Sequence, residues 1–465
     1  MSASQARTRL TALITITASL GASSLSAQVV GDWAGNLNAA GAEFALILHI
    51  TETDGALAAT MDSPDQGAYG IVASSAVFAN DTLTVEIAAI GGSFEGQLSG
   101  EDSLSGTWSQ GGGTYPLSLV RTEVEQAQAR RPQEPVEPFP YLTEDVVFSN
   151  SSASIELAGT LTLPAGPGPH PAAVLISGSG PQDRNEEVFG HRPFLVLADY
   201  LTRLGVAVLR YDDRGWGESG GSFAEATTAD FATDAAAALH YLEGREEVDD
   251  DRIGLIGHSE GGVIAPLVAM QTDGVAFVVL IAGPGIRADS LLLLQAEALN
   301  RASGTTEAEI ATNRELQKQL FAAAISDATE SELDAEVRKI FAAVAPSITE
   351  GALEAQVAGV TSPWMRWFLA YDPGPALRAL LVPTLAVNGS NDLQVLAEPN
   401  LSAIEAALTA AGNPDFTIVE LQGLNHLLQT SETGLISEYG KIQETIAPLA
   451  LETIGDWIVQ RFVGS

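Results

Sequence analysis

The sequence has no cysteine among its 465 residues. Disulfide bonds, a cysteine nucleophile, thiolate metal ligands and a lipid anchor on cysteine are therefore excluded. Basic residues are also scarce, because lysine and arginine total 22 against 59 acidic residues, for a formal net charge of −37. A surface this negative repels phosphate backbones, so we expect no nucleic-acid partner.

Long apolar runs are missing as well, and the start of the chain holds only a short one. Arg7 and Arg9 precede the apolar run 10–20, and small residues follow it. The run is shorter than the roughly 20 apolar residues of a membrane-spanning helix, and the order of its parts is typical of a secretory signal peptide. We predict a signal peptide over residues 1–27 and an exported product, periplasmic or secreted, with no membrane insertion after cleavage.

Apolar residues are nevertheless plentiful, at 46% of the chain, and the length suggests two or three domains. Residues 28–122 alternate in short apolar and polar bursts separated by glycine, as in 44–50. This period-two pattern predicts an antiparallel β-meander that curls into a small barrel or sandwich. A polar loop with Asp62, Asp65 and Gln66 suits turn chemistry or ligand contact, and a glycan or peptide ligand of this domain stays open.

Prolines then mark residues 123–140 as a semi-rigid linker. From 141 to 465, apolar runs that suit strands alternate with stretches that suit helices, which predicts an α/β domain with a parallel sheet covered on both faces. The predicted strands are 172–177, 206–211, 253–257, 276–281, 384–388 and 417–421. The predicted helices are 194–204, 228–242, 262–271, 401–411 and 447–462. Helix formers without a clear strand fill about 286–377, which predicts a helical cap over the carboxyl ends of the strands.

Two Gly-x-Ser-x-Gly matches compete for the role of nucleophile. The match centred on Ser259 lies between predicted strand 253–257 and predicted helix 262–271. A serine at such a turn is exposed at the edge of the sheet, and the amino end of the helix favours developing negative charge. The match centred on Ser219 is separated from its preceding strand and is not followed by a buried helix. Ser259 is therefore the predicted nucleophile.

A serine hydroxyl needs an imidazole to take its proton. Of the six histidines, only His426 follows Ser259 in the chain, and it stands just after a predicted strand. Asp392 lies in a polar loop after another strand, where a carboxylate can hold the second imidazole nitrogen. Asp372 and Asp415 are weaker candidates, because the first lies in the predicted cap and the second precedes a strand.

The tetrahedral intermediate of acyl transfer also needs two hydrogen-bond donors. One is the backbone N–H of Glu260; the other is expected from the glycine-rich loop 177–181, with Ser179 N–H as first choice and Gly180 N–H in reserve. Three cap aromatics suit either an acyl pocket or the buried stripe of a helix, namely Trp364, Trp367 and Phe368. This chemistry requires no metal and no organic cofactor.

Together these motifs resemble the α/β-hydrolase family, from about residue 141 to the C-terminus. Segment 209–219 resembles a strand-and-loop signature of its bacterial esterases, and 177–184 resembles the oxyanion loop of a bacterial serine carboxylesterase subgroup with an extra N-terminal domain. The chain departs from lipases that carry a His-Gly-Gly-Gly oxyanion loop. The resemblance implies the roles of nucleophile, orienting acid and base for Ser259, Asp392 and His426.

We therefore expect a serine hydrolase that cleaves small-molecule carboxylic esters through an acyl-enzyme intermediate. A peptidase or amidase with the same triad is an alternative. A thioesterase is a third, although a surface of this charge disfavours a polyanionic coenzyme A ester. A fourth, of a different class, is an envelope binding protein whose hydrolase domain is inactive.

Overall fold

The computed structural model describes residues 28–463, apart from gaps at 40–41, 54–55, 64–67, 88–89, 101, 111–112, 123–130, 347 and 349. The predicted signal peptide and the first part of the predicted linker lie outside the described residues, as do Asp65 and Gln66. Within the described part of the chain, no helix is both long enough and apolar enough to span a membrane.

The N-terminal part of the chain folds into one antiparallel sheet. Its described strands are β1 (Gly31–Ala39), β2 (Ala42–Thr53), β3 (Ala56–Ser63), β4 (Ala68–Val72), β5 (Ser75–Ala79), β6 (Thr82–Ile87), β7 (Gly92–Leu98), β8 (Ser103–Gln110) and β9 (Gly113–Thr122). Their order is β4-β3-β2-β1-β9-β8-β7-β6-β5, so every neighbour except β1 and β9 is a hairpin partner. The predicted antiparallel β-meander is confirmed.

The two edge strands of this sheet are also consecutive in the chain, with only residues 73–74 between them. Ala73 N–H donates to the Ala59 carbonyl in β3, and Ser74 N–H donates to the Glu86 carbonyl in β6. Both edges therefore approach each other, and the sheet curls into a half-barrel around a core that includes Trp33. Alternate residues of each strand fill that core, as the period-two pattern requires.

A second sheet forms the α/β part of the chain. Its described strands are β10 (Leu142–Asn150), β11 (Ile155–Leu163), β12 (His170–Ile176), β13 (Ala207–Tyr211), β14 (Val248–His258), β15 (Val275–Ile281), β16 (Thr384–Gly389) and β17 (Phe416–Leu421). The order is β10-β11-β13-β12-β14-β15-β16-β17, and the strands from β13 to β17 are mutually parallel. Strands β12 to β17 correspond to the six predicted ones.

Helices cover both faces of this sheet and also form an insertion. They are α1 (Pro193–Arg203), α2 (Thr228–Glu243), α3 (Gly261–Gln271), α4 (Ala288–Ala302), α5 (Glu307–Ala324), α6 (Glu330–Val344), α7 (Glu350–Thr361), α8 (Pro363–Ala370), α9 (Gly374–Leu377), α10 (Ala397–Ala411), α11 (Ile436–Tyr439) and α12 (Pro448–Phe462). In β12, Ala172, Val174 and Ile176 pack in the layer of α2, α3 and α10. Ala173 and Leu175 pack in the layer of α1 and α12.

The predicted cap, about 286–377, corresponds to helices α4 to α9 between β15 and β16. It has a small core of its own, which includes Leu333, Val337 and Phe341. The threonines at the N-caps of α5 and α6 each bond reciprocally to a glutamate three residues later, which stabilises both helix starts. The expected α/β-hydrolase architecture, with a helical insertion and a preceding all-β part, is confirmed.

Candidate active site

The turn between β14 and α3 holds Ser259 in a left-handed backbone conformation, with φ of +52°. Its N–H donates to the Ile281 carbonyl at 2.9 Å, which fixes the turn against β15. A Cβ at Gly257 would lie 2.0 Å from the Gly261 carbonyl oxygen, and one at Gly261 would lie 2.1 Å from the Ile176 carbonyl oxygen. Only glycine therefore fits two residues before and after the serine, as a nucleophile elbow requires.

An imidazole–carboxylate pair lies at the ends of the two neighbouring strands. His426, after β17, and Asp392, after β16, are joined by a 2.8 Å contact between Nδ1 and Oδ2. The other oxygen of Asp392 accepts the N–H groups of Gln394 and Val395, both at 2.8 Å. With Nδ1–H donating to the buried carboxylate, the Nε2 atom of His426 is left as a proton acceptor.

The side chain of His258 connects this pair to the nucleophile elbow. His258 precedes Ser259, and its Nε2 lies 3.0 Å from the backbone carbonyl oxygen of His426. The centres of the His258 and His426 rings are 4.9 Å apart. The structure therefore brings the elbow and the His426 loop together at the carboxyl edge of the sheet, although Ser259 and His426 are far apart in the chain.

The glycine-rich loop after β12 lies against Ser259. A Cβ at Gly178 would be 3.2 Å from the Cβ of Ser259. Gly178 N–H already donates to a glutamate oxygen at 2.8 Å, which leaves the next amide, Ser179 N–H, as the candidate donor; Gly180 follows with a positive φ of +94°. The second candidate, Glu260 N–H, stands at the N-cap of α3, where amides have no intrahelical partner.

Below this loop, the hydroxyl of Ser177 donates to Asp213 Oδ1 at 2.8 Å, and the N–H of Gln182 donates to Asp213 Oδ2 at 2.9 Å. Both ends of the loop are therefore tied to one carboxyl group. Burial raises the pKa of Asp213 to about 8, despite these two hydrogen bonds. The carboxyl group of Asp213 is therefore buried together with the candidate oxyanion loop.

The side chain of Glu260 has a role that the sequence analysis did not foresee. Its Oε1 accepts the hydroxyl of Thr228 at 2.6 Å and the indole N–H of Trp364 at 2.8 Å. Glu260 is buried, and burial raises its pKa to about 7, although both hydrogen bonds act in the opposite direction. The contact joins cap helix α8 to the residue that follows Ser259.

The three cap aromatics have different surroundings. Trp364 reaches the elbow through Glu260 and stacks on Phe368, with ring centres 4.9 Å apart. Phe368 is buried, and Trp367 stacks on Tyr371 at 4.7 Å. Of the three, Trp364 is thus the one whose side chain is hydrogen-bonded to the elbow, while Phe368 and Trp367 pack within and beside α8.

The competing residues are engaged elsewhere. The hydroxyl of Ser219 donates to the Asp212 carbonyl at 2.7 Å and accepts the Ala158 N–H at 2.9 Å, so it bridges backbone groups. Asp372 accepts the N–H of a residue at the start of α9. Asp415 pairs with Arg461 at 2.9 Å.

Three consecutive aspartates are the one group of possible metal ligands in the described ranges, and they lie at the start of β14, the end opposite Ser259. Asp249 of this group forms an ion pair with Arg252. Asp250 and Asp251 are exposed, and a group of carboxylates of this kind beside an arginine is typical of a solvated strand end. No metal site is assigned from it.

Comparison with known proteins identifies a family and several relatives. The sequence model described as "Serine aminopeptidase, S33" matches residues 192–433, about half of the chain. Esterase EstD of Thermotoga maritima is 27% identical over 280 residues, which are 59% of this chain and 59% of that protein. An uncharacterised protein of Mycobacterium tuberculosis is 39% identical over 82 residues, 18% of this chain and 28% of its own length. The chain thus spans less than two thirds of the curated relatives it matches.

Two solved structures can be superposed on part of this chain. An esterase from Pyrococcus furiosus superposes with a TM-score of 0.45 at 16% identity, covering 70% of this chain and 92% of that one. Est1E from Butyrivibrio proteoclasticus, solved with ferulic acid bound, superposes with a TM-score of 0.41 at 18% identity, covering 68% and 98%.

Proposed function

Because the chain belongs to the serine aminopeptidase S33 family of α/β-hydrolases, we propose that it is a serine hydrolase that cleaves small-molecule carboxylic esters. Three side chains carry the chemistry. Ser259 is the nucleophile, His426 is the general base and acid, and Asp392 orients His426 and stabilises its protonated form.

The mechanism has two halves. Ser259 Oγ attacks the ester carbonyl while His426 Nε2 takes the hydroxyl proton, and the N–H groups of Ser179 and Glu260 bind the oxyanion. The tetrahedral intermediate collapses, the C–O bond to the alcohol breaks, and His426 returns the proton to the leaving alkoxide. Water then attacks the acyl-enzyme with His426 again as base, which releases the carboxylic acid and restores Ser259.

The observation that carries this proposal is the geometry of the elbow and the imidazole beside it. A non-glycine residue held at φ of +52° is strained, and such strain concentrates at functional sites. The elbow abuts the backbone of His426, whose Nδ1 is bound by a buried carboxylate at 2.8 Å. An imidazole held in this way is prepared to accept a proton at Nε2.

Two observations bear on the choice between ester and peptide. Similarity to esterase EstD supports an ester substrate, whereas the description of the family supports an aminopeptidase. An aminopeptidase needs an anionic group for the substrate ammonium. The Oε1 atoms of Glu186 and Glu260 are already bonded to His258, Thr228 and Trp364, and Glu186 Oε2, which has no hydrogen-bond partner, is buried. We therefore favour esters, with peptide amides as the second candidate.

Replacement of the nucleophile tests the proposal. Ser259→Ala should lower the turnover of short p-nitrophenyl esters at least about a thousandfold, with an unchanged circular dichroism spectrum, because the remaining groups cannot form an acyl-enzyme. Ser219→Ala removes the serine of the second Gly-x-Ser-x-Gly match and should keep most of the turnover. Measured in parallel, aminoacyl p-nitroanilides and acyl-coenzyme A thioesters should react far more slowly, the latter because the acidic surface repels their phosphates.

Retained ester turnover in Ser259→Ala would contradict the assignment. Comparable rates on the p-nitroanilides would make the protein a peptidase of the same mechanism. Absence of turnover on all three substrate types in the unaltered protein would favour a binding protein.

A further inference from the structure

A second acid–imidazole pair is buried directly behind the nucleophile elbow. Glu186, from the loop between β12 and α1, is 3% exposed, and His258 is 7% exposed. Glu186 Oε1 and His258 Nδ1 are 2.8 Å apart. Neither side chain has a part in the mechanism above, although His258 is the residue that precedes Ser259.

The hydrogen-bond partners of His258 determine how many protons it holds. Its Nε2 lies 3.0 Å from the His426 carbonyl oxygen, and a carbonyl oxygen can only accept, so Nε2 carries a proton. Its Nδ1 faces Glu186 Oε1, which also accepts the Gly178 N–H at 2.8 Å. A carboxylate oxygen with two donors matches a protonated Nδ1. When the shared proton lies on Nδ1 and not on Glu186 Oε1, both ring nitrogens carry protons and the ring is an imidazolium.

Because the surroundings of Glu186 and His258 are apolar, a charge on either side chain is expected only as part of an ion pair with the other. A cavity of about 20 Å³ adjoins it, lined otherwise by apolar side chains that include Phe194, Leu197 and Ile281. A charge buried among such groups persists only when it is paired and hydrogen-bonded. The charged groups that face His258 are Glu186 and, farther away, Asp392. Burial lowers the pKa of His258, but the negative charges of these two carboxylates and the hydrogen bonds of the ring outweigh burial and raise this pKa.

On the premise of the proposed hydrolase activity, we propose that His258 is a positioning residue, kept as an imidazolium by Glu186, that holds together the two loops flanking Ser259. Glu186 Oε1 binds the oxyanion loop through Gly178 N–H. His258 Nε2 binds the loop of the general base through the His426 carbonyl. The ion pair thereby sets the distance between the oxyanion donors, the nucleophile and the base.

The protonation state can be measured without reference to activity. In the full chain with ¹⁵N-labelled histidine, NMR at about pH 8 should show both nitrogens protonated in two rings, which single His→Gln variants assign. One is His49, whose pKa is raised to about 9 by the hydrogen bond to Asp62 against burial. The other is His258, so one protonated ring should remain in His49→Gln. That ring should become neutral in the double variant His49→Gln/Glu186→Gln.

Kinetics test the positioning role. Glu186→Gln keeps the shape but removes the charge that holds the imidazolium, so kcat for p-nitrophenyl esters should fall about 10- to 100-fold with KM within about threefold, since small misplacements of reacting groups have effects of this size. Glu187→Gln is the matched control, because Glu187 is the exposed neighbour that pairs with Arg192. It should keep kcat within about twofold.

Two results would overturn the inference. One is the absence of a doubly protonated ring at about pH 8 in His49→Gln, which would mean a neutral His258. The other is an unchanged kcat in Glu186→Gln. Failure of the proposed function would give a different result. The unaltered protein would then hydrolyse no ester, whereas NMR would still show whether His258 is protonated on both ring nitrogens.

Discussion

At the scale of single residues, Glu260 combines two functions in one position. Its backbone N–H is a candidate oxyanion donor, while its buried carboxyl group anchors Trp364 of the cap and Thr228 of α2. Burial raises the pKa of this carboxyl group from 4.5 to about 7. The folded protein therefore binds this proton more tightly than the unfolded chain does, and stability falls as the pH rises from about 4.5 to about 7.

Glu260→Gln should remove that pH dependence. The amide oxygen of glutamine can still accept from Thr228 and Trp364, but no buried charge has to form, so above about pH 7 the variant should be more stable than the unaltered protein by roughly 2 to 4 kcal/mol. Thermal unfolding at about pH 5 and pH 8 measures the effect, with Glu225→Gln, an exposed glutamate, as control. A stability difference between the unaltered protein and Glu260→Gln that is equal at both pH values would contradict the burial argument.

The contrast between Ser259 and Glu186 explains which residues the sequence could predict. Ser259 lies in a local motif in which the glycines, the strand and the helix are all within a few positions. Glu186 is 72 residues from His258, and Trp364 is 104 residues from Glu260. A glutamate in a polar loop carries no sign of a partner that distant, so the buried acid–imidazole pair and the link to the cap required coordinates.

At the scale of secondary-structure elements, His49 connects the first three strands. Its Nδ1 lies 2.7 Å from Asp32 Oδ1 on β1, and its Nε2 lies 2.9 Å from Asp62 Oδ2 on β3. The prediction that Asp62 lies in a polar loop is wrong, because it is in β3 and its side chain is bound to His49 of the neighbouring strand. A ligand of the β-domain stays a prediction.

This connection makes the half-barrel sensitive to alkaline pH. The pKa of His49 is raised from 6.5 to about 9, so its contribution to stability is complete below about pH 6.5 and is lost as the pH rises through about 9. His49→Gln should therefore lower the unfolding midpoint of the full chain more at about pH 6 than at about pH 9.5, as measured by calorimetry. His240→Gln, which alters an exposed histidine, serves as control. An equal effect of His49→Gln at both pH values would refute the assignment.

The strands of the α/β sheet differ in how readily the sequence predicts them. β13 and β16 are buried throughout, and their sequences are mostly apolar apart from residues such as Arg210 and Asn388. β10 and β11 were not predicted. β10 lies at the edge of the sheet, with its first four residues exposed, and a polar edge strand resembles a loop in sequence.

At the scale of the whole molecule, alternation of strands and helices predicted the fold class, and the interruption of that alternation predicted the cap. The pairing of β1 with β9 in the N-terminal sheet could not be predicted from the sequence. β1 and β9 are joined although their paired residues, from Ala34 and Val120 to Asp32 and Thr122, are 86 to 90 positions apart in the chain, because β4 and β5 occupy the two edges. Local patterns specify hairpins, whereas such a pairing depends on how the whole sheet curls.

The most direct measurement of the central claim is the site of covalent reaction with a fluorophosphonate, which phosphonylates only an activated serine. The intact mass of the unaltered protein should increase by one phosphonyl group, and the modified peptide should contain Ser259. Ser259→Ala should not react. A protein that stays unmodified, or a phosphonyl group on a different serine, would contradict the account.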